Sequence, residues 1–421
     1  MRDIHCDIAV IGTDLIGLCC GYALRKLGLK VEIIAIDDLE PTWLAPWVQL
    51  PGRPKRIDWS QILPRAKDGV ALAPLQLSNE KVRISLEPGE RRALGGWLRE
   101  CQASGQDPKL FKYFEKKSPP PPSRQSPSLS TPSSSPFARL IRSKRGGGLS
   151  WPRLDQGRAS LEISHYPARA LLSLAGISES STLPTFVEDD LESFLFGHTN
   201  VPSATTFWPA IQTDIKEAHH CQSLADLRLK SGLGTLNHIE IQNHLRLKAQ
   251  TYLFNLPNEQ FAALTGERPR QSTSTEISTL WEFKIKQSQA RCPHSGRMLH
   301  FGSDDLTLCY LDWSSGAGEI SVQLLTHEHA SFDDVSTFAQ DIFGQPPTGQ
   351  FRSRSSRLPT LSQLEEMPVA TRFRNALYAG QALGPRYHLA AQCDVAEELL
   401  KAVSLYREAP LNLSTLPYVK D

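Results

Sequence analysis

The 421-residue sequence predicts an α/β fold of two parts: a parallel sheet opened by a dinucleotide-type strand–turn–helix, and a second, mixed antiparallel sheet. Three observations carry that expectation. The segment Asp7–Gly21 joins an apolar run to a glycine turn and a helical stretch. A second β-rich region runs from Leu236 to Pro257. Between Trp281 and Thr326, strand-like runs succeed one another around a glycine hairpin.

In order, Ile8–Ile11 is a continuous apolar run, the pattern of a strand covered on both faces. Gly12 opens a tight turn, and Gly17 and Gly21 fall on the first turns of a helix that runs through Tyr22–Leu27 and stops at Gly28. Val31–Ile36 is the next strand, completing a βαβ opening of about the usual ~30 residues. Asp37 and Asp38 end the regular pattern. Thr42–Pro64, with Trp43, Trp47 and Trp59, reads as an ordered but irregular excursion, and Glu87–Ala103 as a short helix interrupted by Gly95 and Gly96. The Pro/Ser-rich stretch from Ser118, extended through the basic residues and glycines to 148, holds nothing that could form a core and is expected to be a disordered, polyproline-like insertion. Helices are expected at Tyr166–Ala175 and Val187–Phe196. Leu236–Lys248 alternates apolar and polar residues as a strand does, Lys248–Pro257 reads as a buried strand, and Asn258–Leu264 as a helix closed near Gly266. Trp281–Lys286, Leu306–Trp313 and Glu319–Thr326 read as antiparallel strands with a turn at Gly316–Gly318. Ser331–Phe343 is a helix ending at Gly344, Asn375–Gly380 a short strand into a glycine turn, and Cys393–Tyr406 a closing helix.

With 46 basic and 45 acidic residues the chain is almost neutral, which argues against nucleic acid as a partner. The basic flanks of the insertion, Lys112, Lys116 and Lys117 before it and Arg139, Arg142, Lys144 and Arg145 at its end, read either as a polyanion contact or as the solvated ends of a loop. Eight cysteines lie scattered without a C-x-x-C, as expected of reduced thiols in the cytoplasm. The first strand begins by about Ile4, so no leader is expected, and no apolar run reaches the ~20 residues of a membrane span.

Gly12, Asp14 and Gly17 occupy the three positions of G-x-G-x-x-G. The second position normally lets the backbone approach a pyrophosphate, and here it carries a carboxylate. Two unit charges about 4 Å apart at an effective dielectric of 20 repel by ~4 kcal/mol, on the order of a thousandfold in affinity. The pull of a helix N-terminus, about 1 kcal/mol, does not offset that. A carboxylate here is also placed to cap its own helix, filling the site with protein.

In this order, Ile8–Gly21, Ala249–Pro257 and Ala379-Gly380-Gln381 resemble the FAD-dependent amine oxidase and protoporphyrinogen oxidase superfamily, the matched pieces covering about a quarter of the chain. The resemblance implies a discontinuous, Rossmann-like FAD/NAD(P)-binding domain from 1–60, about 220–270 and 370–421. It also implies a substrate-type domain with a mixed antiparallel sheet from about 150–215 and 275–365. FAD is the cofactor implied, with Gly12, Thr13, Asp14, Leu15, Gly17, Asp37, Gly380 and Gln381 at its contacts. Departures fall at those contacts. Asp14 replaces the second glycine. Counting places Ala35 where the ribose-binding acid belongs, with Asp37 two residues on. Gln381 stands where the C-terminal motif has an acid, and no Gly-Gly-Arg follows the second strand, Pro51-Gly52-Arg53 being nearest.

Other chemistry is sparse. His327-Glu328-His329 with Cys292 and His294, and His219-His220-Cys221, lack a fixed metal-ligand set and read as polar strand ends. No G-x-S-x-G follows a strand. Arg386, Tyr387 and His388 fall where the fold implied by the resemblance passes the flavin ring, but read as surface-turn residues. The expected function is therefore an FAD-dependent oxidoreductase-like protein whose flavin binding is impaired or lost and which acts as a binding or scaffold protein for a protein or small-molecule partner. The Rab escort and GDP-dissociation-inhibitor proteins, similar in fold, show that such a scaffold can serve binding. The alternative is an active flavoenzyme oxidising an amine or a C–C bond across an atypical phosphate turn. No catalytic residue is assigned.

Overall fold

In the computed structural model the described residues are 1–38, 57–70, 73–79, 83–86, 161–162, 182–183, 201–202, 204–242, 244–269, 277–287, 295–301, 308–316, 318–327, 330–357, 370–379, 389–407 and 410–418. The helices expected at Glu87–Ala103, Tyr166–Ala175 and Val187–Phe196, and the insertion at 118–148, lie outside them; between residues 149 and 200 only Leu161–Glu162 and Thr182–Leu183 are described, paired with each other.

In chain order the elements used below are β1 (Arg2–Ile11), α1 (Leu15–Lys26), β2 (Val31–Ile36), β3 (Leu75–Asn79) and β4 (Arg83–Leu86). Then come α2 (Ala204–Lys216), β5 (His219–Cys221), β6 (Leu227–Gly232), β7 (Thr235–Ile241), β8 (Leu245–Phe254) and α3 (Asn258–Thr265). The rest are β9 (Ile277–Lys286), β10 (Ser295–Phe301), β11 (Leu308–Gly316), β12 (Glu319–His327), α4 (Phe332–Phe343), β13 (Thr348–Arg357), β14 (Ala376–Tyr378) and α5 (Leu389–Tyr406).

The first seven-stranded sheet has the order β6–β7–β8–β1–β2–β5, with β14 also joined to β8. From β14 through β8, β1 and β2 to β5 every pairing is parallel, while β6–β7 and β7–β8 are antiparallel. The apolar run of β1 follows from its place near the middle. Ile8 and Val10 pack with α1, Ile57, Trp59, Phe207 and α5 on one face; Ala9 and Ile11 pack with Tyr252, Phe254, Phe261 and Tyr378 on the other. Ile8 and Ile11 are fully buried, each burial stabilising by about 1.5–3 kcal/mol. On the second face Phe261 of α3 lies 4.4 Å from Tyr378, whose hydroxyl donates to Leu256 O at 2.9 Å. On the first, the buried Tyr22 hydroxyl donates to Asp214 Oδ2 at 2.7 Å, tying α2 to α1, and burial raises the phenol's pKa. α1 ends as the sequence predicts, with Gly28 at φ +83° just past its C-cap.

The second sheet has the order β13–β9–β12–β11–β10–β3–β4. α4 covers one of its faces, inserting Val335, Phe338, Ala339 and Phe343 among Trp281, Phe283, Ile285, Trp313, Val322 and Leu324. A capping box of Ser331 and Asp334 starts that helix, and Gly344 at φ +81° stops it.

One reading of the chain is corrected, and one hairpin was not read from the sequence. The alternating stretch Leu236–Lys248 is not one strand: Gln242, at φ +49°, turns the chain between β7 and β8. β6 before it forms a hairpin with β7 through Leu233 and Gly234, at φ +52° and +75°. That two-residue loop has the type I′ pattern, for which Asn-Gly is preferred. A left-handed leucine costs about 1–2 kcal/mol, and Leu233 is 98% exposed.

Candidate functional site

β14, β8, β1 and β2 run parallel, so their carboxyl ends share one edge of the sheet. The order of the parallel strands reverses between β1 and β8, and in open α/β sheets the ligand crevice lies at that switch point. The turn after β1 sits there. Gly12 N–H donates to Ile34 O at 2.8 Å, and Asn255 N–H, just past β8, donates to Ile11 O at 2.7 Å. The chain then enters α1 with Asp14 as its N-cap.

Sequence reading missed the residue that organises this turn. Asn255 is 1% exposed. Its Oδ1 accepts from Gly17 N–H at 3.3 Å, and its Nδ2 donates to Asp14 O at 2.5 Å and lies 3.5 Å from Gly12 O. A methyl group on Gly12 would overlap the Asn255 carbonyl oxygen, and φ there is +99°; one on Gly17 would overlap the Asn255 amide carbon. Both glycines are thus required by Asn255. The one signal in the sequence is a lone amide closing the apolar run Tyr252-Leu-Phe-Asn255. Asp14 is different, because its backbone is extended (φ −63°, ψ 143°), a conformation any residue adopts.

Asp14 is 8% exposed, and Thr13 beside it 7%. The expectation that the Asp14 carboxylate caps α1 is not met, for the side chain makes no cap hydrogen bond. Its main-chain oxygen does serve the helix, accepting from Leu18 N–H at 3.1 Å. Leu15, the first helical residue, is buried at 1% exposure. A pyrophosphate drawn to this turn would meet a carboxylate at its middle position, and one of the first-turn amides that would greet it, that of Gly17, is held by Asn255.

The residues named at the end of β2 are placed as follows. Ala35 lies within the strand, 3% exposed, and Asp37 is the first residue beyond it. Asp37 N–H donates to Cys221 O at 2.9 Å, and its Oδ1 lies 2.8 Å from His220 Nδ1. His219 makes a second such pair with Glu32 at 3.0 Å, while the Cys221 thiol, pushed up to about 12 by burial, donates to Ala35 O at 3.6 Å. These three side chains are thus directed to separate partners, and among the described residues no group of three or more His, Cys, Asp or Glu is placed to hold a metal.

The Asp37 hydrogen bond raises the His220 pKa against the opposing effect of desolvation. A raised folded pKa stabilises fully below the unfolded value of about 6.5, and that contribution is lost as pH climbs through the folded pKa. The side chains are 40% and 51% exposed, so the effect is at most a few tenths of a kcal/mol. Asp37→Asn is expected to lower the imidazole's titration midpoint by NMR and flatten this small pH dependence. An unmoved midpoint would show that the pair does not exist in solution.

Gly380 and Gln381 lie outside the described residues, as do Pro51–Arg53, Cys292, His294, Glu328, His329 and Arg386–His388. Gly12, Thr13, Asp14, Leu15, Gly17 and Asp37 are placed at the carboxyl edge of the sheet, with Asn255 and His220 added. Among the described residues no helix is long and apolar enough to cross a membrane.

No family model matches the chain, and no curated protein matches it in sequence. Solved structures do match in fold. An oxidoreductase from Methanosarcina mazei is 13% identical with a TM-score of 0.50, covering 94% of this chain and 99% of its own. The Rab GDI of Plasmodium falciparum is 8% identical, also at 0.50, covering 97% and 99%. Putrescine oxidase bound to putrescine is 11% identical with a TM-score of 0.48, covering 94% and 98%. At such identities the likeness speaks for the fold alone, and the fold is α/β, a Rossmann-like parallel sheet with a second, mixed antiparallel sheet.

Proposed function

We propose that this chain is a non-catalytic member of that fold: its flavin binding is impaired or lost, and it acts as a binding or scaffold protein for a protein or small-molecule partner. One observation carries the reading. The fingerprint keeps glycine at the two positions where Asn255 demands it, and loses glycine at the position where only a phosphate would. Packing accounts for Gly12 and Gly17 without a ligand, so their presence does not argue for one. Asp14 then opposes the ligand directly. A fold leaves function open, and here the site is the part that has departed.

The test is the absorbance spectrum of the purified protein. It is expected to be colourless as isolated, and to remain so after incubation with excess FAD and removal of the free cofactor. A stoichiometric flavin spectrum would overturn the reading in favour of a working flavoenzyme that oxidises an amine or a C–C bond.

A further inference from the structure

We propose that His220 is a proton-operated tie between α2 and the edge of the first sheet. As an imidazolium it bonds Ile215 O of α2 and the Asp37 carboxylate past β2 at once; on losing its proton it keeps Asp37 and releases α2. The device stands apart from the flavin question, since no ligand takes part in it.

The geometry at the ring carries the inference. His220 Nδ1 lies 2.8 Å from Asp37 Oδ1, and its Nε2 lies 3.1 Å from Ile215 O. Both partners are acceptors, one a carboxylate and the other a main-chain carbonyl. Only the cationic ring carries N–H on both nitrogens, so the arrangement is complete only with the second proton. Either neutral tautomer leaves one acceptor facing a lone pair. Hydrogen bonds to an ionised acceptor are the stronger ones, so the neutral ring keeps Nδ1–H on Asp37 and turns a bare Nε2 toward Ile215 O.

The position strengthens the hold on the proton. Ile215 belongs to the last turn of α2, which ends at Lys216, where carbonyls lack helical partners and the helix dipole favours a cation. Ile215 O also accepts Ala218 N–H at 3.0 Å, which turns the chain out of the helix toward β5. β5 is a three-residue edge strand whose sheet partner among the described residues is β2. The charged groups of the surrounding elements are Lys216 and Glu217 after α2, Asp37 and Asp38 past β2, and Asp226 beyond β5. On β5 itself His219 is engaged by Glu32, which has Lys30 at 3.7 Å. Asp38 and Asp226 bear on the Cys221 thiol. At the His220 ring the Asp37 hydrogen bond is the largest influence, and the carbonyls of Ile215 and Lys216 also favour the cation, against desolvation. The tie is therefore whole at acid pH, and its α2 half is lost as pH rises through the folded midpoint.

The experiment is a pH titration of the full chain with isotopically labelled histidine, reading the ring nitrogens by NMR. The His220 midpoint is expected above that of the urea-unfolded chain, and the neutral ring is expected as the Nδ1–H tautomer. Amide exchange over residues 213–220, corrected for the intrinsic rate, should quicken about twofold to threefold through that midpoint, as fits one hydrogen bond lost on a half-exposed group. His220→Gln, at an exposed position, should melt near the wild-type temperature and show no such step. In Asp37→Asn the neutral ring should lose its tautomer preference. A midpoint at or below that of the unfolded chain, a neutral Nε2–H tautomer, exchange that is flat across the midpoint, or a step of equal size in His220→Gln would each overturn the proposal.

Discussion

Asp14→Gly is expected to raise affinity for FAD, and for its ADP portion alone, by up to about a thousandfold. The figure follows from ~4 kcal/mol of repulsion between one carboxylate and a phosphate at about 4 Å, with an effective dielectric of 20. The nearly buried position of Asp14 limits screening by salt, so the gain should persist at physiological ionic strength. Because the side chain makes no cap hydrogen bond, and glycine is itself an acceptable N-cap, the helix start does not depend on the carboxylate. Asp14→Asn divides the effect, since it removes the charge but keeps the Cβ. If charge dominates, the asparagine variant recovers most of the gain; if bulk dominates, only glycine does. Titration calorimetry with ADP and flavin fluorescence quenching with FAD both read it. Affinity unchanged in both variants would show that the obstacle lies elsewhere, and Gln381 would be the next position to examine.

The second large effect is on stability. Gly17→Ala is expected to destabilise by about 3 kcal/mol or more, although the change is one methyl group on a helix. That methyl would overlap the Asn255 amide carbon and lie 2.7 Å from its Cβ, so the side chain must leave its site. Moving it breaks the bonds to Gly17 N–H and Asp14 O in a buried setting, where each orphaned group costs about 1–3 kcal/mol. Alanine ordinarily stabilises a helix relative to glycine by about 1 kcal/mol, so the sign itself is diagnostic. Urea unfolding midpoints measure it. A neutral or stabilising Gly17→Ala would mean that Asn255 does not hold the turn, and the structural explanation for the retained glycines would fail with it.

The parallel part of the sheet was legible because its strands are local signals. Ile8–Ile11 and Val31–Ile36 are apolar runs punctuated by Gly12 and Gly28, and the helices ending at Gly266 and Gly344 carry their stops in sequence. What was not legible depends on partners distant in the chain. β5 is three residues long, His-His-Cys, and is a strand only because β2 offers an edge. β10 and β13 are short of alternating apolar residues, and they become strands by pairing with β11 and β9. β6 hid because its turn uses Leu-Gly where a hairpin is normally announced by Asn-Gly. At the candidate site six of the residues that the resemblance names fall at one sheet edge, whereas Asn255 lies 238 residues from Gly17, and nothing in either neighbourhood announces the bond. Counting from Gly12 and Gly28 could not say where β2 ends, and the strand runs to Ile36, so that Asp37 is the first residue beyond it.

β8 has three neighbours. It pairs with β1 along most of its length, with β7 at Leu245–Leu247, and with β14 at Tyr252–Phe254. That sharing sets the order in which the protein can assemble. During synthesis, β1 and α1 emerge first yet wait more than 200 residues for β8, and the Tyr252–Phe254 end of β8 then waits for Ala376–Tyr378. Until then, one face of the sheet lacks Ala376 and Tyr378 and the other lacks α5. Pairings this far apart in sequence form slowly and leave strand edges open in the interval. The nascent chain is therefore most prone to aggregation before β14 is made, and removing β14 would hold it in that exposed state.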